Sequence, residues 1–287
     1  MLLLVLSTVA WISSANADEP PVKDRVPALI KALENENASV RAQAAEALGG
    51  IGLAAKDAVP SLIEALEDEN TNVRWRGAYA LRRIGPAANE ALPALIKALE
   101  DERPNVRGEA ARAVGVIGPD SNDVVRALIK VLEDEDASVR CDGAHALGRI
   151  GPAAQEALPG LINALEDEHR GVRAQAACAL SKIGPAARDA VPALVKALED
   201  ENALVRWRAA CALGGIGPVA EHAVPALIKA LEDENAFVRR GAAYALGGIG
   251  PAAEHALPVL IKALEDDDEV VRTLAANSLR TIRADAK

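Results

Sequence analysis

The residues with chemistry to offer are three cysteines, four histidines, and a small set of rings and arginines. Cys141 and His145 stand four apart, a spacing that puts two side chains on one helix face, and Cys178 and Cys211 follow His145 at steps of 33 residues. A zinc or thiol site could be drawn through Cys141, His145 and Cys178. Since 33 residues is also the repeat length of this chain, those steps place the groups about 10 Å apart, near the limit for shared ligation and beyond the roughly 7 Å Cα limit of a disulfide. An odd number of thiols also suits an oxidising compartment poorly. The reading therefore expects no metal, no cofactor and no catalytic residue, with small buried or half-exposed side chains at these positions. His222 and His255 follow Glu221 and Glu254, and His169 lies in an acidic segment; all three are expected to face solvent.

A second constellation lies in WRGAYALRRIG, residues 75–85, where Trp75 and Tyr79 keep company with Arg76, Arg82 and Arg83 in a chain that is only 2% aromatic. Trp207-Arg208 repeats the opening pair four repeat lengths later, so two Trp-Arg stations are positioned to bracket one long ligand. Beyond the first 20 residues the aromatics are Trp75, Tyr79, Trp207, Phe237 and Tyr244. Trp, Tyr and Arg are the types that dominate protein interfaces, which makes this a recognition chemistry rather than a catalytic one. Phe237 precedes its helix and is read as packing.

The elements that hold these residues follow from one period. Val-Arg occurs at Val40-Arg41, at Val73-Arg74, and at every further step of 33 residues to Val271-Arg272. Aligned on it, the chain is eight copies of VPALIKALEDENxxVRxxAAxALGxIGPAAxxA, starting near residues 26, 59, 92, 125, 158, 191, 224 and 257. Val59, Leu62, Ile63 and Leu66 recur as one face of a first helix, with Pro60 and its equivalents in the first turn and Arg126 in that place in the fourth copy. Asn70 and its equivalents Asn37, Asp136, Asn202, Asn235 and Asp268 are expected to cap a second helix, while Arg103 and His169 are weaker caps. Ile-Gly-Pro ends that helix. No stretch alternates as a strand does. Helix pairs this short cannot bury an apolar face alone, so they must stack into a solenoid of residues 18–287 without linkers.

On the second helix, Val73, Gly77, Ala80, Leu81 and Ile84 mark the core face, and Trp75, Tyr79 and Arg82 point the other way, flanked by Arg76 and Arg83. Positions equivalent to the core residues scarcely vary down the copies, whereas the outward ones do. Those five outward columns hold Arg76, Arg82, Arg83, Arg112, Arg149, Lys182, Arg208, Arg240 and Arg280 against Glu46, Glu109 and Asp142, a basic stripe on an acidic protein. Arg74 and its equivalents recur in every copy after an acidic loop. They are expected to form a ladder of Arg-carboxylate bonds between neighbouring copies.

The sentence LEDE-x-x-x-VR-x-x-AA-x-ALG-x-IGPAA resembles HEAT repeats of the phycobilisome-lyase HEAT-like type, over about residues 22 to 287. The resemblance implies an all-α fold, an α-solenoid forming a right-handed superhelix of eight two-helix repeats, with the second helices lining the concave surface. It also implies a binding scaffold, and it carries two other possibilities: a phycobilin-lyase-like or oxidoreductase-related protein, and nucleic-acid binding on the concave face. Iron-dependent deoxyhypusine hydroxylases use related repeats with His-Glu pairs; the matching columns here, such as Trp75-Arg76 and Cys141-Asp142, contain none. GGIG at residues 214–217 and 247–250 ends helices and is no phosphate loop, and the acidic loops lack an EF-hand's spacing.

A formal charge of −10 and a pI near 5.1 argue against nucleic acid and anionic membranes as partners. Residues 2–12 are an apolar run followed by Ala15-Asn16-Ala17, the pattern of a secretory signal peptide cleaved after residue 17, though no Lys or Arg precedes the run. The protein is thus expected to be exported, periplasmic or secreted, with no later segment long enough to span a membrane. The expected function is non-enzymatic: capture of an acidic protein or peptide by Trp75, Arg76, Tyr79, Arg82, Arg83, Arg112, Arg149, Trp207, Arg208, Arg240 and Tyr244. Oligomeric state is not legible in the sequence.

Overall fold

A computed structural model describes residues 22–119 and 121–284. The predicted signal segment, residues 1–17, lies outside them. The described residues form α-helices and short 3-10 helices and contain no strand. They fall into two compact units that divide after Val131. The first unit pairs α1 (Val22–Ala32) with α2 (Ala38–Ile51), α3 (Val59–Ala65) with α4 (Thr71–Ile84), and α5 (Leu92–Ala98) with α6 (Pro104–Ile117), and ends in α7 (Asn122–Val131). The second opens with α8 (Ala137–Ile150) and pairs α9 (Leu158–Ala164) with α10 (Arg170–Ile183), α11 (Val191–Ala197) with α12 (Ala203–Ile216), α13 (Val224–Ala230) with α14 (Ala236–Ile249), and α15 (Leu257–Lys262) with α16 (Glu269–Ala284). In each unit a second helix packs on the second helix of the next copy and on its own first helix, an all-α solenoid.

Caps set the helix starts. The side chains of Asn37, Asn70, Asp136, Asn202 and Asn235 each accept from an amide two residues on, while Arg103 and His169 make no such bond. Glycine sets the ends: Gly52, Gly85, Gly151, Gly184, Gly217 and Gly250 take φ between 68° and 80°, which no side-chain-bearing residue among the described ones adopts. The chain does not simply break at Gly-Pro, as the sequence suggests. Segments such as Gly85–Ala91 continue as 3-10 helices into the next copy. Three residues per turn puts i and i+3 on one line, and Ala55 with Ala58, or Ala88 with Ala91, are fully buried along it. The third copy departs: its Gly118 has φ −124°, and the sequence there reads Gly-Pro-Asp-Ser rather than Gly-Pro-Ala-Ala.

Leu62, Leu81, Leu95, Leu161, Leu180 and Leu213 are among the largest fully buried side chains, each worth about 2 kcal/mol of transfer free energy. The Arg-carboxylate ladder is present. Arg74 Nε and Nη2 meet Asp101 at 2.6 and 3.1 Å while Nη1 bonds the carbonyls of Asp68 and Glu69 in its own loop. Arg41 meets Asp68 in the same way, and in the second unit so do Arg140 with Asp167, Arg173 with Asp200, Arg206 with Asp233 and Arg239 with Asp266. Burial alone would raise the pKa of Asp68, Asp167 and Asp233, but the guanidinium bonds and a backbone amide outweigh it and hold each below the ordinary aspartate value.

One expectation needs amending. Residues 203–230 form a helical run that by length and composition could cross a membrane. The run bends at Gly217, where φ is 80°, and half of its apolar window is buried inside the second unit, so core packing accounts for its composition.

Candidate partner-binding site

The outward face of the second helices carries a cluster in each unit. In the first, on α4, Trp75 stacks on Tyr79 with ring centroids 6.1 Å apart and planes 25° from parallel, as the i, i+4 spacing allows. Arg76 lies 5.8 Å from the Trp75 ring centre and pairs with Glu46 of α2; Arg82 lies 5.3 Å from the Tyr79 ring. Glu109 of α6 is 2% exposed, and two arginines compensate its charge: Arg82 Nε at 2.5 Å and Arg112 Nη1 at 3.3 Å. Arg83 is exposed and its Nε donates to the carbonyl of Gly49. A Cβ on Gly49 would come within 2.9 Å of Tyr79, so glycine there seats the ring. A cavity of about 180 Å³ beside Arg76 is lined by Ser39, Gln43, Asn70 and Asn72.

In the second unit, Trp207 of α12 is packed otherwise. It has no ring four residues on, because Cys211 stands there; instead it tilts at 59° against Phe237 of α14, centroids 6.1 Å apart. Arg208 lies 4.3 Å over the Trp207 ring. The difference from the first cluster is electrostatic: Arg76 reaches back one copy to Glu46, but the residue equivalent to Glu46 for Arg208 is Cys178, 3.9 Å from its guanidinium. Arg208 therefore meets no carboxylate among the described residues. Arg240 covers the Phe237 ring at 4.7 Å and is tied to Asp268 at 2.9 and 2.5 Å; the same bond holds Asp268 well below the usual carboxylate range. Tyr244 is exposed and lies against Gly214, and Arg149 is exposed in the last turn of α8.

The geometry alters the electrostatic expectation for the stripe. Arg76, Arg82, Arg112 and Arg240 count as basic by sequence, but each is paired within its own unit, so the uncompensated charge of the face is smaller than the residue count. Phe237 corrects a second expectation. It is 55% exposed and belongs to the surface cluster, whereas its place in the sequence suggests packing. A signal was present: positions equivalent to it in the first five copies are Ser39, Asn72, Asn105, Ser138 and Gly171, which is no pattern for a core.

Two of the three thiols offer little reactivity. Burial first, then Asp142, pushes Cys141 up to about 11, and burial pushes Cys211 up to about 11, so both remain protonated near neutrality. No three His, Cys, Asp or Glu side chains among the described residues converge as metal ligands would. His169, His222 and His255 are exposed.

A family model described as HEAT repeats matches residues 26–115, 92–181, 125–199, 158–222 and 191–280. A search of curated proteins returned no match. Among solved structures, an engineered protein superposes with a TM-score of 0.64 at 26% identity, covering 97% of this chain and 88% of its own. YibA of Escherichia coli superposes with a TM-score of 0.61 at 26% identity, covering 93% of this chain and 98% of its own.

Proposed function

Because the chain belongs to the HEAT-repeat family, whose solenoids serve as protein-interaction scaffolds, we propose that it acts without catalysis by capturing an acidic protein or peptide on the outward face of its second helices. The observation that carries this reading is the Trp207 cluster. A ring, an arginine over it with no carboxylate, and two further exposed rings occupy positions that the repeat leaves free to vary. A cation held by a ring face retains its charge for a partner carboxylate, and the ring supplies apolar area at little entropic cost. The two Trp clusters differ in what they offer. Trp75 and its arginines are largely satisfied within the first unit, so the second unit holds the stronger claim to charge recognition.

In this reading the protein works outside the cytoplasmic membrane, which the apolar run at residues 2–12 and Ala15-Asn16-Ala17 support. The test is affinity capture from the native host with the full chain and with a Trp207→Ala, Arg208→Ala variant. The variant is expected to lose about 2 kcal/mol of binding, roughly thirtyfold in affinity, with its thermal midpoint little changed. Capture by the variant at parental strength would overturn the proposal.

A further inference from the structure

The second residue of the second helix, two past the cap, reads Ser39, Asn72, Asn105, Ser138 and Gly171 in the first five copies and Leu204, Phe237 and Val270 in the last three. The fold does not ask for apolar side chains there. What the cap uses at this position is the backbone amide, which donates to the cap side chain whether the residue is Asn72, Leu204 or Phe237. The side chains face solvent: Leu204 is 44% exposed, Phe237 55% and Val270 44%. They stand on α12, α14 and α16, three successive second helices of one unit, whose axes lie about 8 to 10 Å apart. Trp207 touches Phe237, and Tyr244, two turns along α14 on the same face, is exposed as well.

The result is an apolar ridge roughly 20 Å long with Arg208 beside its first member. Scattered exposed apolar residues need no explanation, but three in register, the middle one in ring contact with Trp207, have the pattern of a binding surface. Its charge is specific. Arg240 is committed to Asp268 and Arg239 to Asp266 and Asp267, and Glu269 is exposed nearby, so the ridge gives a polyanion little to pair with beyond Arg208, whereas a single carboxylate could reach it.

We propose that this ridge holds a short peptide segment of a partner protein, with large apolar side chains about 10 Å apart and one carboxylate for Arg208. The inference rests on the reading that the second-helix face binds a partner, and it narrows that partner from acidic in general to apolar with one acidic position. Contact area along Leu204, Phe237 and Val270 carries the affinity, and Arg208 sets the register.

The test is selection of a phage-displayed random dodecapeptide library on the full chain, followed by binding of the enriched peptides to two variants. One is Leu204→Asn, Phe237→Asn, Val270→Ser, which installs residue types that earlier copies carry at the same place and is checked for an unchanged circular dichroism melt. The other is Trp207→Ala, Arg208→Ala. Enriched peptides are expected to share two or more aromatic or aliphatic residues and one Asp or Glu, and to bind the triple variant at least tenfold more weakly. Peptides that bind the triple variant like the parent but are lost on the Trp207, Arg208 variant would overturn the ridge and leave the second-helix reading standing. Peptides indifferent to both variants would overturn both. Polyacidic peptides without apolar residues, or no enrichment, would overturn the ridge.

Discussion

Glu109 shows how one substitution in a repeat recruits others. Its position holds Arg76 one copy earlier and Arg208 three copies later, both half-exposed, yet Glu109 is 2% exposed and carries a charge. The compensation is Arg82, which occupies a position that is Gly49, Gly115, Gly148, Gly214 and Gly247 in other copies. Arg82 thus serves two groups, the Glu109 carboxylate and the Tyr79 ring. Glu109→Ala is expected to cost about 2 kcal/mol, less than for a fully buried pair because Arg82 can turn toward solvent. Arg82→Gly in the same chain should recover part of that loss, a coupling of about 1 kcal/mol in a urea-melt double-mutant cycle. Strictly additive effects would mean that the pair is incidental. Gly214→Ala puts a methyl within 3.0 Å of Tyr244 and 2.7 Å of the Ala245 Cα. It should shift the tyrosine fluorescence and lower the melting temperature, because backbone as well as ring must move.

The helices are largely legible in the sequence because each is punctuated by residues with a single local job. Asn and Asp caps, Pro in the first turn and Gly at the end recur at a fixed step, so six first helices begin at the Val or Leu that opens each sequence copy, such as Val59 and Leu158. The 3-10 segments are not legible, since Gly-Pro signals the end of one helix without fixing the conformation of the next segment, and only burial of Ala88 and Ala91 on one line shows why a tighter helix continues. At the site, columns identify which residues face outward but not whom they meet. Pairing with Glu46, Glu109 or Asp268 depends on reach across to a neighbouring copy, and a residue-by-residue charge count misses it. Phe237 misleads for the complementary reason: an aromatic in an Ala-Leu core invites a packing role, and only its exposure refutes it. His169 starts α10 without a side-chain bond, so His169→Asn should stabilise the helix by about 1 kcal/mol, read as a raised thermal midpoint and slower amide exchange in its first turn.

Across the chain, the Arg-Asp ladder makes stability a function of pH. Each rung ties one copy's second helix to the next copy's loop, with both side chains about one-tenth exposed, as for Arg74–Asp101 and Arg173–Asp200. Asp68, Asp167, Asp233 and Asp266 titrate below their ordinary value in the folded chain. A carboxylate with a depressed folded pKa contributes stability that is complete above its unfolded pKa, about 3.9, and is lost as pH falls through the folded value. Protonation removes the acceptor, as at Asp167, leaving the Arg140 guanidinium in a loop whose carbonyls satisfy only Nη1. Since neighbouring copies depend on one another, losses at several rungs add up rather than staying local. The arginines are displaced the other way, raised by the same bonds, so their contribution is intact throughout the acid and neutral range. The thermal midpoint should therefore be nearly flat from pH 8 to about pH 5 and fall steeply below about pH 4. Because the rungs are partly buried, salt should blunt that fall only weakly, unlike the exposed Lys97–Glu67 and Lys229–Glu199 pairs. Arg140→Met removes the rung to Asp167, whose carboxyl the guanidinium holds below its ordinary value, and should flatten the acid limb while lowering the midpoint at pH 7. A midpoint insensitive to pH between 5 and 2.5, or an acid limb identical in the variant, would show that the ladder contributes geometry but little stability.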